Sequence, residues 1–182
     1  GLDENNVYIG GSNQTVNLHS QLRKWNGSSI EVIQIPQDSS KSIDYIFIEN
    51  NNDIWLSTNS NKVYHYDGMN ITTYYIPVPL LSKSSSIYKD LLGNLLLFGL
   101  YGIVGGQGET VHSTFRFIGD SWQLITQDTV TVNSDLSYRV LQCGTDILRT
   151  GKNMIFYFDG ANWIKHTSAP NIEQITISGP SK

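Results

Sequence analysis

The segment KVYHYDGMNITTYYI (62–76) has three near copies in the chain: LRKWNGSSIEVIQI (22–35), TFRFIGDSWQLI (114–125) and IFYFDGANWIKH (155–166). Aligned on the turn glycines Gly27, Gly68, Gly119 and Gly160, the copies lie 41, 51 and 41 residues apart. Two positions before each glycine stand Trp25, Tyr66, Phe117 and Phe158, and three after stand Ile30, Ile71, Trp122 and Trp163. Asn-Gly and Asp-Gly accept positive φ, and large side chains on either side of such a turn meet across two strands. Each copy therefore predicts a β-hairpin.

A second phrase lies upstream of each hairpin: NVYIGG (6–11), DIWLST (53–58), NLLLFG (94–99) and, more loosely, TDILRT (145–150). Before the last three come IDYIFI (43–48), SSIYKD (85–90) and SYRVL (138–142). β-Branched and aromatic residues dominate, and Gly, Asn, Asp and Ser interrupt any helical period before three turns are complete. The unit is four short strands repeated every 40–50 residues, the signature of a propeller blade. The fold class expected is all-β, a β-propeller of four four-stranded blades forming a single domain over 1–182. Blade 1 takes 6–36 plus 171–178, blade 2 takes 42–77, blade 3 takes 85–127 and blade 4 takes 136–168.

The split first blade follows from the tail. NIEQITIS (171–178) matches SIDYIFIE (42–49), with Ile172 on Ile43, Glu173 on Asp44, Ile175 on Ile46 and Ile177 on Ile48. It thus reads as the inner strand that blade 1 lacks, and it closes the ring by covering an edge that would otherwise invite aggregation. Two other arrangements stay open: four blades of a larger propeller, or an eight-bladed ring built from two chains.

Composition narrows the function. With 182 residues and 39% hydrophobic content the chain can bury one core. A charged fraction of 15% and a net charge of −4 lack the basic surface that phosphate binding needs, so nucleic acid is not an expected partner. The run LLGNLLLFGL (91–100) is too short and interrupted to span a bilayer, and no membrane insertion is expected. Cys143 is the single cysteine, which excludes an intramolecular disulfide and a thiolate cluster. His19, His65, His112 and His166 are scattered, so neither a metal nor another cofactor is expected.

Catalytic signatures point the same way. No Gly-x-Ser-x-Gly or His-Glu-x-x-His occurs, and GIVGGQGE (102–109) lacks the Gly-Lys-Ser/Thr ending of a phosphate loop. The expectation is a protein that is not an enzyme. A surface rich in Asn, Ser, Thr and Tyr suits an exported one.

The pattern Asn/Asp-x-Trp-Leu-x-Thr followed by Val-Tyr-x-Tyr-Asp-Gly-x-x-Ile-x-x-Tyr, as it stands in 53–74, resembles the two-component regulator propeller repeat. Blade 2 carries it best and blade 3 least. That family occurs in periplasmic sensor regions of bacterial hybrid histidine kinases and in related exported proteins. The resemblance implies a β-propeller with a sensor role in a periplasmic or extracellular bacterial setting.

Loop lengths suggest where a ligand would sit. One face of the propeller would carry tight turns, ENNN (49–52) and the glycine turns; the other would carry 12–21, 77–86, 100–113 and 127–135. Long loops on a rigid scaffold are where binding groups gather, so the long-loop face is the expected site. Its candidate ligand contacts are Tyr101, Glu109 and His112, with Asn17 and His19 opposite. Asp44 and Glu173 share a repeat position at the start of the innermost strand, where two carboxylates could hold a cation or amine. Trp122 and Trp163 align with Ile30 and Ile71, and a position that takes Ile as readily as Trp is a packing position. The function expected is non-catalytic recognition of a glycan fragment or other small ligand. The alternative is a protein-interaction platform in a cell-envelope assembly, and a glycan-degrading hydrolase or lyase comes third.

Overall fold

A computed structural model describes residues 3–12, 20–36, 42–77, 86–104, 109–131, 139–144, 146–151 and 154–166. Among these the fold is all-β, with fifteen strands in four antiparallel sheets and no helix. Sheet 1 holds β1 (Val7–Ser12), β2 (Ser20–Trp25) and β3 (Ile30–Ile33). Sheet 2 holds β4 (Ile43–Asn50), β5 (Asp53–Thr58), β6 (Lys62–Tyr66) and β7 (Ile71–Tyr75). Sheet 3 holds β8 (Ser86–Lys89), β9 (Leu95–Val104), β10 (Glu109–Ile118) and β11 (Ser121–Thr131). Sheet 4 holds β12 (Arg139–Cys143), β13 (Asp146–Gly151), β14 (Met154–Phe158) and β15 (Trp163–Lys165). Each sheet is a meander whose strands pair in chain order. Sheet 1 has three strands among the described residues, and 171–178 lies outside them.

The hairpin register is the one that the repeat predicts. Trp25 pairs with Ile30, Tyr66 with Ile71, Phe117 with Trp122 and Phe158 with Trp163. All four glycines have positive φ, at 91°, 95°, 52° and 101° in chain order. In three of the turns the residue before the glycine accepts the backbone N–H groups two and three places on: Asn26 from Ser28 and Ser29, Asp67 from Met69 and Asn70, Asp159 from Ala161 and Asn162. These carboxylate or amide caps satisfy the turn without a ladder. Sheet 3 keeps the same pairing with a two-residue turn in which both Gly119 and Asp120 have positive φ.

Sheets stack through the alternate faces of their strands. Ile54 and Leu56 of β5 join Tyr8, Leu22 and Ile33 of sheet 1 in one core cluster. Trp55, between them in sequence, points the other way and joins Leu95, Leu97, Phe115 and Trp122 of sheet 3. A third cluster brings Tyr88, Leu96 and Phe98 of sheet 3 against Ile147 and Trp163 of sheet 4. In each sheet-to-sheet seam the hairpin residue of the later sheet packs on the earlier one: Ile71 on sheet 1, Trp122 on sheet 2, Trp163 on sheet 3. Trp122 is 3% exposed, and its indole lies edge-on to Trp55 at 6.0 Å. Trp163 donates its Nε1–H to Thr114 Oγ1 at 3.0 Å.

Sheet 1 is different. Ile30, the equivalent of Ile71 and Trp122, is 56% exposed, and Ile9 and Val32 on the same face of the sheet are exposed with it.

The 51-residue interval in sheet 3 also has a structural explanation. The 100–113 and 127–135 stretches that read as loops are in large part strand, since β9 runs to Val104, β10 starts at Glu109 and β11 runs to Thr131. Glu109 pairs with Val104 on one side and Thr131 on the other. The Gly, Ser and Thr content suggested loops, but Thr-Val and Thr-Val-Thr suit a pleated ladder that continues beyond the strand lengths of the other sheets.

The turn glycines are constrained to different degrees. A Cβ on Gly68 would lie 2.2 Å from Asn52 Oδ1, whereas one on Gly160 meets nothing within 4 Å among the described residues. Both substitutions to alanine strain a positive φ, a loss of about 1–3 kcal/mol. Gly68→Ala is expected to lose clearly more than Gly160→Ala in urea melts of the two variants; equal losses would show that the contact between the two turns of sheet 2 does not constrain it.

Candidate functional site

Of the residues singled out from sequence, Tyr101, Glu109 and His112 share the β9–β10 ladder of sheet 3, where Tyr101 pairs with Val111 beside His112, and Asp44 stands on sheet 2. Tyr101 lies on β9 and Glu109 opens β10, on strands rather than loops. Asn17, His19 and Glu173 lie outside the described residues. Asp44 sits on β4, exposed, with Ser42 Oγ donating to its Oδ1 at 3.0 Å.

His112 is buried on β10, directly opposite Asp128 of β11. Arg149 reaches the same spot from sheet 4. It donates from Nη1 to Asp128 Oδ2 at 2.8 Å, and its guanidinium stacks 4.5 Å from the Phe156 ring and 4.8 Å from that of Trp163. The strand pairing aligns Arg149, opposite Phe156, with Leu56 opposite Tyr64 and Leu97 opposite Phe115. The repeat in TDILRT therefore starts at Asp146, one residue later than the sequence alignment puts it. Arg149 is a buried cation, 3% exposed, at a position that Leu56, Leu97 and Ile9 hold in the other sheets, and it is held by one carboxylate and two rings.

Burial, reinforced by the Arg149 charge and only partly offset by Asp128, pushes the His112 imidazole down from its usual 6.5 to about 4. Between those values the unfolded chain takes up a proton that the folded chain refuses. Stability therefore falls as pH drops from about 6.5 towards 4 and is regained above that window. His112→Gln is expected to flatten this slope, removing about 2 kcal/mol of the stability difference between pH 7 and pH 5. Urea unfolding of parent and variant at the two pH values measures it; an unchanged slope would place the titration elsewhere.

The tight-turn face holds a formed cleft. It lies between sheets 2 and 3, has a volume of about 480 Å³, and opens beside the β4–β5 turn at Asn52 and the β8–β9 turn at Gly93 and Asn94. Trp55, Leu95 and Phe117 form its apolar wall. The Trp55 indole stacks on the His65 ring at 4.2 Å and 17°, and meets Phe117 edge-on at 4.8 Å. Trp55 is only 6% exposed, so it serves as wall and not as a stacking platform.

The polar groups of the cleft are arranged around Asp53. Its Oδ1 accepts from Trp55 Nε1 at 2.7 Å and lies 2.9 Å from His65 Nε2. A carboxylate accepts, so the His65 Nε2 that faces it carries a proton. Lys89, from sheet 3, pairs with Glu49 of sheet 2 and stands 4.0 Å from Asp53 Oδ2. Partial burial pushes the Lys89 ammonium down from its usual range. Asn94 is held by Asp90, to which its Nδ2 donates at 2.8 Å.

Asp53 and Asn94 stand at the Asn/Asp position of the recurrent second-strand phrase, which was visible in the sequence as a repeat feature. Their convergence with His65 and Lys89 was not. His65 joins through cross-strand pairing with Trp55, and Lys89 through sheet stacking.

No family model matches the chain, and a search of curated proteins found no match.

Proposed function

We propose that the chain is a non-catalytic recognition module that binds a small ligand, such as a glycan fragment, in the cleft between sheets 2 and 3. The observation that carries this reading is the cleft itself. Its carboxylate, imidazole, ammonium and amide groups are held in place by neighbours before any ligand arrives, beside an apolar wall, and its volume falls in the range of about 300–1,000 Å³ usual for small-molecule sites. Preorganised polar groups lose little freedom on binding, which favours recognition. The resemblance of the repeat to two-component regulator propellers supports a sensor role in the periplasm or outside the cell.

The scaffold we propose for this site is a ring of four blades, closed by 171–178 pairing along β1. Three observations support closure: the match of that segment to β4, the inner edge that β1 presents among the described residues, and the exposed Ile9 and Ile30 at positions that the other sheets bury or half-bury. Removing 171–182 is expected to lower the melting temperature and promote aggregation, since an edge and an apolar face are then uncovered. An unchanged melt in a monomer would count against closure, and an intact chain that elutes as a dimer would favour the two-chain ring.

A protein-interaction platform is the second reading. Met69, Leu91 and Leu92 are all more than 70% exposed at turn tips on the same face as the cleft, where turn geometry asks for none of them. Serial substitution to serine should leave the melt within about 0.5 kcal/mol of the parent. Screening parent and triple variant against glycans and envelope proteins separates the readings: glycan hits unaffected by the variant favour the cleft ligand, and protein hits abolished by it favour the platform.

A further inference from the structure

We infer that the ligand of the cleft between sheets 2 and 3 is a free α-amino acid with an apolar side chain. This rests on the reading of the cleft as a ligand site and names the chemical class that its groups fit. The cleft offers both signs of charge within a short span. Lys89 Nζ and Asp53 Oδ2 stand 4.0 Å apart, too far for a hydrogen bond between them. Each comes from a different sheet, and Asp53 Oδ1 is already occupied by Trp55 and His65. The outward oxygen, Oδ2, is left to face the cleft.

An ammonium group placed there would donate to Asp53 Oδ2. The ligand carboxylate would then lie towards Lys89, whose single described carboxylate contact within hydrogen-bond reach is Glu49. Charge-assisted bonds of this kind are about twice as strong as neutral ones. A ligand carrying only an ammonium would set a like charge against Lys89, one carrying only a carboxylate would face Asp53 and Glu49, and a neutral polyol would use neither sign. The two signs lie close enough for groups carried on one carbon. The apolar wall of Trp55, Leu95 and Phe117 receives the side chain.

The test is calorimetric titration of the full chain with leucine, phenylalanine, N-acetyl-leucine, leucine methyl ester and a panel of neutral oligosaccharides. Leucine or phenylalanine is expected to bind, and blocking either end is expected to weaken binding at least tenfold. Lys89→Met, checked for an unchanged melt, is expected to weaken leucine at least tenfold and to abolish its advantage over the methyl ester. Because the blocked ligands probe the site without altering the protein, a variant that fails to fold does not decide the result. Blocked and free ligands binding alike would overturn the amino-acid assignment, as would binding that survives N-acetylation. Oligosaccharides that saturate while amino acids do not would overturn this assignment and leave the recognition reading standing. Binding of neither class would remove both.

Discussion

Each sheet-to-sheet seam depends on a single cross-strand pair whose register is set by a glycine at positive φ. Tyr66 meets Ile71, Phe117 meets Trp122 and Phe158 meets Trp163 because the turn between them closes in one way, and each pair then projects onto the sheet before it. A one-residue slip would turn these side chains to the opposite face and empty the seam. The glycine matters energetically for that reason. It governs which face the aromatic rings present, and so where about 25 cal/mol per Å² of apolar burial is gained.

Repetition explains the stability of the stack, and departures from repetition explain its chemistry. Leu56 and Leu97 fill the seams of their sheets, while the equivalent in sheet 4 is Arg149, which carries a charge into the seam and is tolerated through Asp128 and two rings. The same seam buries His112, whose neutral form the surroundings enforce. Between sheets 2 and 3 the departure is at the turn end: His65 and Lys89 line the cleft there, and Asp53 joins His65 to the Trp55 wall. A cleft forms where two twisted sheets diverge past their last shared apolar contact, and polar groups are affordable there because water still reaches them.

The extended hairpins of sheet 3 carry the same lesson. The ten residues beyond the 41-residue period lengthen the ladder of β9, β10 and β11, and they place Tyr101, Glu109 and His112 on strands. A strand that outruns its blade gains hydrogen bonds in pairs on both sides of β10.

The sequence by itself determined the four hairpins and the register across their turns. Gly27, Gly68, Gly119 and Gly160 mark the turns, the residues two before and three after them pair as expected, and Trp122 and Trp163 pack between sheets. These features are local: turn dihedrals and alternating side chains operate within a dozen residues, and a period repeated four times makes them conspicuous. Tertiary structure alone decided which polar groups meet in the cleft. Asp53 and His65 are twelve residues apart and Lys89 lies on another sheet, so no spacing in the chain announces the cleft. The contrast between Arg149 and Leu56 also required the strand pairing, because a loose match shifted by one residue hides which side chain enters the seam. Loop length could not report this cleft, because length reflects conformational freedom, whereas the cleft is lined by side chains that strand pairing and sheet stacking bring together.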